Sequence, residues 1–141
     1  METLRERLVA VALEWEQAFG NIPQIIGVLA ELDAAQLVGL TLADYCESMK
    51  GATAVQRGFD FRYQGARYQV KANRPSGKPG SVITKAPKAA NYDWDILIWI
   101  RYNRTFEIEE AWLWEVGPYR VAFDAVTRIS PSHYRQGRRL R

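Results

Sequence analysis

Cysteine and histidine each occur once in the 141 residues, as Cys46 and His133. One cysteine excludes an internal disulfide and a cysteine-rich zinc site, and one histidine leaves no histidine cluster to hold a metal. The sequence has no apolar run of about 18 residues, so it offers no membrane-spanning helix. The opening METLRERL carries two glutamates and leads into no long apolar stretch, which argues against a secretory signal and for a cytoplasmic location. No phosphate-binding loop is present: Arg74–Ser81 contains glycines but lacks the P-loop spacing and carries two prolines. His133, alone in a basic tail, supports no Ser/His/Asp or Cys/His arrangement, and Cys46 on a short helix reads as a small buried hydrophobe. Repeats, low-complexity tracts and linker-like shifts of composition are also missing. With 48% hydrophobic residues, the chain suits one compact domain over 1–141.

Acidic residues are absent from two long segments. Arg62–Lys88 has seven Lys/Arg and Arg128–Arg141 has five Arg, so twelve of the nineteen cations lie where no acid offsets them. The net charge is only +3, yet this segregation suits a polyanion, with nucleic acid the leading candidate. The plainer alternative is a solvated loop and a frayed tail.

Along the chain, Leu4, Leu8, Val11, Trp15 and Phe19 recur at spacings of three and four, which predicts an amphipathic helix over Thr3–Phe19, ended by Gly20. Asn21 with Gln24 resembles a capping box for a second helix, Ile22–Val38, whose inward stripe would be Ile22, Ile25, Leu29, Leu32 and Gln36. Glu31 sits beside that stripe, either as a boundary residue or aimed at a site that needs a cation. Thr41 caps a short third helix through Met49, and Ala52–Gln56 is a short strand or an extended connector. Arg74–Asn91, with three prolines and four cations, defeats regular structure and could follow a phosphate backbone. Asp95–Tyr102 is apolar almost throughout and reads as a buried central strand. Phe106–Val116 returns beside it after a turn at Asn103-Arg104, and a helical turn or two is expected over Tyr119–Val126. The expected fold is therefore α/β in α+β order: a helical part over 1–50, a sheet core over 51–116, and a short helix or turn with the basic tail over 117–141. Four of the five tryptophans (Trp94, Trp99, Trp112 and Trp114) fall in the second strand pair and predict an aromatic core there.

Chemistry concentrates in Gly58–Asn73, GFDFRYQGARYQVKAN. Gln64-Gly65 is a two-residue hairpin turn, because glycine supplies the positive φ such turns need. Centred there, the hairpin sets Tyr63 against Ala66 and Asp60 against Gln69. Alternation then places Asp60, Arg62, Arg67, Gln69 and Lys71 on one face, with Phe59, Phe61, Tyr68, Val70 and Ala72 on the other. Arg62 facing Arg67 is repulsive unless a phosphate or a flanking acid lies near. Phosphodiester cleavage with a divalent metal needs oxygen ligands and a nearby cation. Asp60, the amide of Gln69 and the backbone carbonyl of Val70 can supply oxygens, Glu31 a second charge, and Lys71 the cation. The plain reading is a cross-strand hydrogen-bonded pair beside an ordinary strand lysine.

A helix glutamate, then G-F-D, then a hairpin ending Y-Q-V-K-A, resembles the PD-(D/E)xK nuclease superfamily over roughly Gln24–Glu115. The resemblance implies a restriction-endonuclease-like core, in which N-terminal helices precede a β-meander and a central mixed sheet. It also implies a Mg²⁺- or Mn²⁺-dependent endonuclease acting on DNA. Asp60, Gln69, Lys71 and Glu31 would be catalytic, and Asp60, Gln69, the Val70 carbonyl and Glu31 would hold the metal. Arg62, Arg67, Arg74, Lys78, Lys85, Lys88, Arg135, Arg138 and Arg139 are candidate nucleic-acid contacts. Cutting both strands of a duplex takes two sites, so a homodimer is expected. Two departures matter: Arg57-Gly58-Phe59 stands where a Pro-Asp pair belongs, and Gln69 replaces the usual acid. They leave open a nuclease-fold module that binds DNA without cutting it. The tryptophan-rich strands leave open a protein-interaction domain or an enzyme acting on a small anionic ligand.

Overall fold

The computed structural model describes residues 1–50 and 58–141, so the segment Ala52–Gln56 read as a strand or connector lies outside the described residues. Three helices come first: α1 (Leu4–Phe19), α2 (Ile26–Leu37) and α3 (Leu42–Lys50). The strands β1 (Phe61–Tyr63), β2 (Ala66–Asn73), β3 (Ile96–Tyr102) and β4 (Ile108–Glu115) follow. Helix α4 (Val116–Phe123), one helical turn α5 (Pro131–Tyr134) and a short strand β5 (Arg138–Arg139) complete the chain. The fold is α+β, with one mixed sheet ordered β1-β2-β3-β4-β5. Among the described residues, only the β2–β3 pair is parallel.

The turn chemistry of the hairpin fixes its register. Gln64 (φ 50°) and Gly65 (φ 81°) are both left-handed, as a type I′ turn requires, and Tyr63 faces Ala66, Arg62 faces Arg67 and Phe61 faces Tyr68. In this hairpin the antiparallel meander expected from the sequence takes the form of two strands among the described residues. Asp95 is the flanking acid that the Arg62–Arg67 pairing called for, with two of its contacts to the Arg67 guanidinium at 3.1 Å.

Parallel pairing of β2 with β3 demands a crossover, which is usually a helix. Here 74–95 makes it with no helix or strand of its own, held by side chains and one isolated bridge, Ala86 to Ile129. Strand β3 is covered on both faces, which explains its nearly continuous apolar sequence. Ile98, Ile100 and Tyr102 join Leu29, Ala30 and Ala34 of α2, with Phe61 and Tyr68, in one core. Leu97 and Trp99 join Trp94, Trp114, Tyr119, Phe123 and Tyr134 in the second, aromatic core.

Several expectations are corrected by the packing. Helix α1 has the expected extent, a Thr3–Glu6 capping box and Gly20 at its C-cap, but it is turned over. Its expected inward stripe is exposed, with Leu4 at 74%, Val11 at 61%, Trp15 at 49% and Phe19 at 67%. Val9 and Ala12 are buried instead, because polar residues on that side find partners inside: the Arg5 guanidinium donates to Asp33 (2.7 and 2.8 Å) and to the Phe106 carbonyl. Helix α2 starts at Ile26, later than expected, with no side-chain cap and no Asn21–Gln24 box. Its buried face is Leu29, Ala30, Asp33, Ala34 and Ala35, while Gln36 is exposed. The small alanines let the helix backbone approach the sheet. Phe59 packs against the aromatic core rather than beside Phe61, since the chain bends at Asp60 before β1 begins. Cys46 is exposed, not buried. The C-terminal segment is folded rather than frayed: Tyr134 is fully buried, stacks on Trp99 at 5.3 Å, and donates to the Pro87 carbonyl.

Candidate functional site

Strand β1 begins only at Phe61, so β2 keeps an open edge beyond it, and Asp60 fills that edge. Its backbone N–H donates to the Tyr68 carbonyl (2.7 Å), and its Oδ2 accepts the Val70 N–H (2.7 Å). The N–H and C=O of one strand residue point to the same side, so the Val70 carbonyl faces Asp60 as well. Gly58 makes the approach practicable. A side chain there would be strained at φ +78° and would place its Cβ 2.6 Å from that of Asp93.

Glu31 arrives from α2 beside Asp60, near enough for each carboxyl group to act on the other. Burial and the Asp60 charge push the Glu31 pKa up to about 7. Burial also raises Asp60, against the opposing pull of the Val70 N–H, the Glu31 hydrogen bond and the Lys71 charge. Two partly buried carboxyl groups, each held above its ordinary pKa, are an arrangement that a divalent cation relieves.

Gln69 and Lys71 face the opposite side of the sheet from α2, in register with Leu97 and Trp99 of the aromatic core. Lys71 acts on Asp60 through its charge. The site thus lies on the sheet edge, with Glu31 reaching Asp60 from the α2 face and Lys71 acting on it from the other face, on which Gln69 also lies. Tyr45 of α3 is a member that the sequence reading missed. Burial and then the Glu31 and Asp60 charges push its hydroxyl up to about 12, so it stays a neutral donor beside the pair. Only its place on a short capped helix of unknown docking marked it in the sequence. Among the described residues, no three His, Cys, Asp or Glu side chains form a metal cluster, so two carboxylates would be the whole anionic complement. The oxygen-only donor set of Glu31, Asp60, Gln69 and the Val70 carbonyl fits Mg²⁺ or Mn²⁺ in kind, and its low charge leaves room for water and phosphate oxygens.

The candidate basic contacts divide into two groups. Arg74 is nearly buried, paired with Glu16 (2.9 and 3.1 Å), donating to the Arg104 carbonyl, and lying 4.7 Å above the Phe106 ring. Lys88 caps α4 by donating to the Asp124 and Val126 carbonyls (3.0 Å each). Arg135 forks onto Glu110 (2.7 and 2.8 Å), and Arg67 is taken by Asp95. Arg62, Lys78, Lys85, Arg138 and Arg139 are exposed, with Arg62 lying over Phe59 and Arg139 over Trp112.

Compared with protein-family models and with curated protein sequences, the chain matches none.

Proposed function

We propose that the protein is a Mg²⁺- or Mn²⁺-dependent endonuclease that hydrolyses DNA phosphodiester bonds, a divergent PD-(D/E)xK nuclease with a restriction-endonuclease-like core. One observation carries this reading: Glu31 and Asp60, 29 positions apart, are brought together partly buried, each acting on the other's titration and each with its pKa raised. A purely structural pair of acids at a sheet edge would be offset by an arginine or lysine hydrogen-bonded to it, as Asp33 is by Arg5 and Glu16 by Arg74. The mixed sheet, with a hairpin followed by a strand parallel to its second arm, is compatible with the fold the motif implies.

When bound, the metal supplies Lewis-acid polarisation of the phosphate and a water of lowered pKa. Glu31 and Asp60 would hold it with the Gln69 amide oxygen and the Val70 carbonyl. Lys71 would orient the attacking water or contact the scissile phosphate, and Tyr45 would donate to whichever carboxylate oxygen the metal leaves free. Arg62, Lys78 and Lys85 would follow the DNA backbone without reading sequence.

Gln69 in place of an acid favours a second reading, a module that binds DNA without cutting it. Incubation of plasmid and branched DNA with Mg²⁺ or Mn²⁺ tests both readings. The expected result is cleavage that Lys71→Ala lowers by at least about 100-fold, the scale on which a positioned catalytic group acts. Cleavage unchanged by that substitution overturns the assignment. Salt-dependent DNA binding with no metal requirement and no cleavage selects the second reading.

A further inference from the structure

The outer side of α1 carries a stripe that the fold leaves uncovered: Leu4, Leu8, Val11 and Trp15 at spacings of four, three and four, with Phe19 one turn beyond. That spacing is the seam of a two-helix coiled coil, not the wider face of a helix lying on a sheet. On one flank of the seam stand Arg7 and Glu14, seven residues apart and both exposed. Among the described residues, neither forms an ion pair within the chain. The other flank is Arg5 and Ala12, which belong to the interior through Asp33 and through burial. Beside Leu4 and Leu8 the seam opens into an apolar groove of about 600 Å³, where Val28 of α2 and Leu42 and Met49 of α3 add exposed apolar surface.

From this surface we infer that the chain forms an isologous dimer through antiparallel packing of α1 on α1. The antiparallel register that seats Leu8 against the partner's Val11, and Leu4 against the partner's Trp15, also sets Arg7 beside Glu14 of the partner subunit. The two-fold axis repeats that ion pair, so one register satisfies the apolar seam and the charges together. A parallel pairing would set Arg7 and Glu14 against the inner flank, which has no free charge to answer them. The antiparallel register also carries Trp15 and Phe19, whose rings lie 4.6 Å apart, toward the partner's copy of the groove. Each subunit thus offers both an aromatic knob and an apolar recess. Glu31 and Tyr45 also line that groove, so the partner's rings would approach the carboxylate site, but the inference rests on the α1 stripe and its flanking charges and not on the nuclease reading.

Sedimentation equilibrium of the full chain over a dilution series tests it, with circular dichroism confirming that each variant is folded. The expected result is a dimer whose dissociation constant rises by about tenfold or more in Arg7→Glu and in Glu14→Arg, and returns toward the original value in the double variant Arg7→Glu/Glu14→Arg. A monomer at every concentration overturns the proposal. A dimer indifferent to both single reversals, or one that the double exchange does not rescue, overturns it as well. A monomer that co-sediments with anionic lipid vesicles instead assigns the stripe to a membrane surface.

Discussion

Glu31 is held in a form that suits a bound cation better than bare solvent. With its pKa raised from the ordinary 4.5 to about 7, the folded, metal-free protein binds more protons than the unfolded chain between those values. Stability must then fall as pH rises through that window and level off above it. Because Glu31 is only half-buried, solvent screening reduces the expected loss to ~1–2 kcal/mol. Glu31→Gln keeps the shape and removes the titration. In EDTA, its urea midpoint should vary less with pH than that of the parent, and above neutral pH it should be the more stable protein. Added Mg²⁺ should stabilise the parent and leave Glu31→Gln nearly unchanged, since binding to the folded state alone raises apparent stability. A parent midpoint that does not move between about pH 5 and pH 8 would show that Glu31 is not held above its ordinary pKa.

The elements differ in how much of their structure the sequence alone could reveal. The hairpin was legible because Gln64-Gly65 supplies two left-handed residues and leaves one register, and β3 because burial on both faces writes an unbroken apolar run. Helix α1 was legible in extent but not in orientation. Its inward side holds Arg5 and Glu16, whose partners Asp33 and Arg74 lie 28 and 58 positions away, and no local pattern announces such pairs. The crossover 74–95 was legible as irregular, yet its role as the lid of the aromatic core depends on contacts such as the Ala89 N–H to Tyr119 hydroxyl bond (3.0 Å). Arg74 anchors the start of that crossover. Its guanidinium fork and its packing on Phe106 are both geometric, so Arg74→Met should cost ~3 kcal/mol in urea unfolding by leaving Glu16 unpaired. Arg74→Lys should recover only part of that, because an ammonium cannot span the carboxylate and the Arg104 carbonyl together. A DNA contact would behave in the opposite way, with affinity falling and stability unchanged.

Across the whole molecule, the sheet is wedged between a helix layer on one face and an aromatic layer on the other, and the last residues of the chain tie the two. Tyr134 lies in the aromatic core against Trp99, Tyr119 and Phe123, while Leu140 packs on the helix-side core and its N–H donates to the Ala111 carbonyl (2.8 Å). Five arginines over Arg128–Arg141 suggested a solvated arm for a polyanion, but the residues between them carry the fold: Tyr134 and Leu140 point in, while Arg138 and Arg139 stay out. Replacing a buried aromatic by alanine costs ~3–5 kcal/mol, a large share of the ~5–15 kcal/mol that holds a domain together. Tyr134→Ala should therefore lower the urea midpoint severely. Tyr134→Phe should lose only the hydroxyl's bonds to Tyr119 and the Pro87 carbonyl, about 1 kcal/mol each. Removing residues 131–141 opens both cores at once and should leave no cooperative unfolding transition, whereas Arg138→Ala/Arg139→Ala should keep the parent midpoint and weaken any DNA binding. A truncated chain that unfolds at the parent's urea concentration would instead mean that the sheet closes without its last strand, and that the four arginines of 131–141 are not needed for the fold.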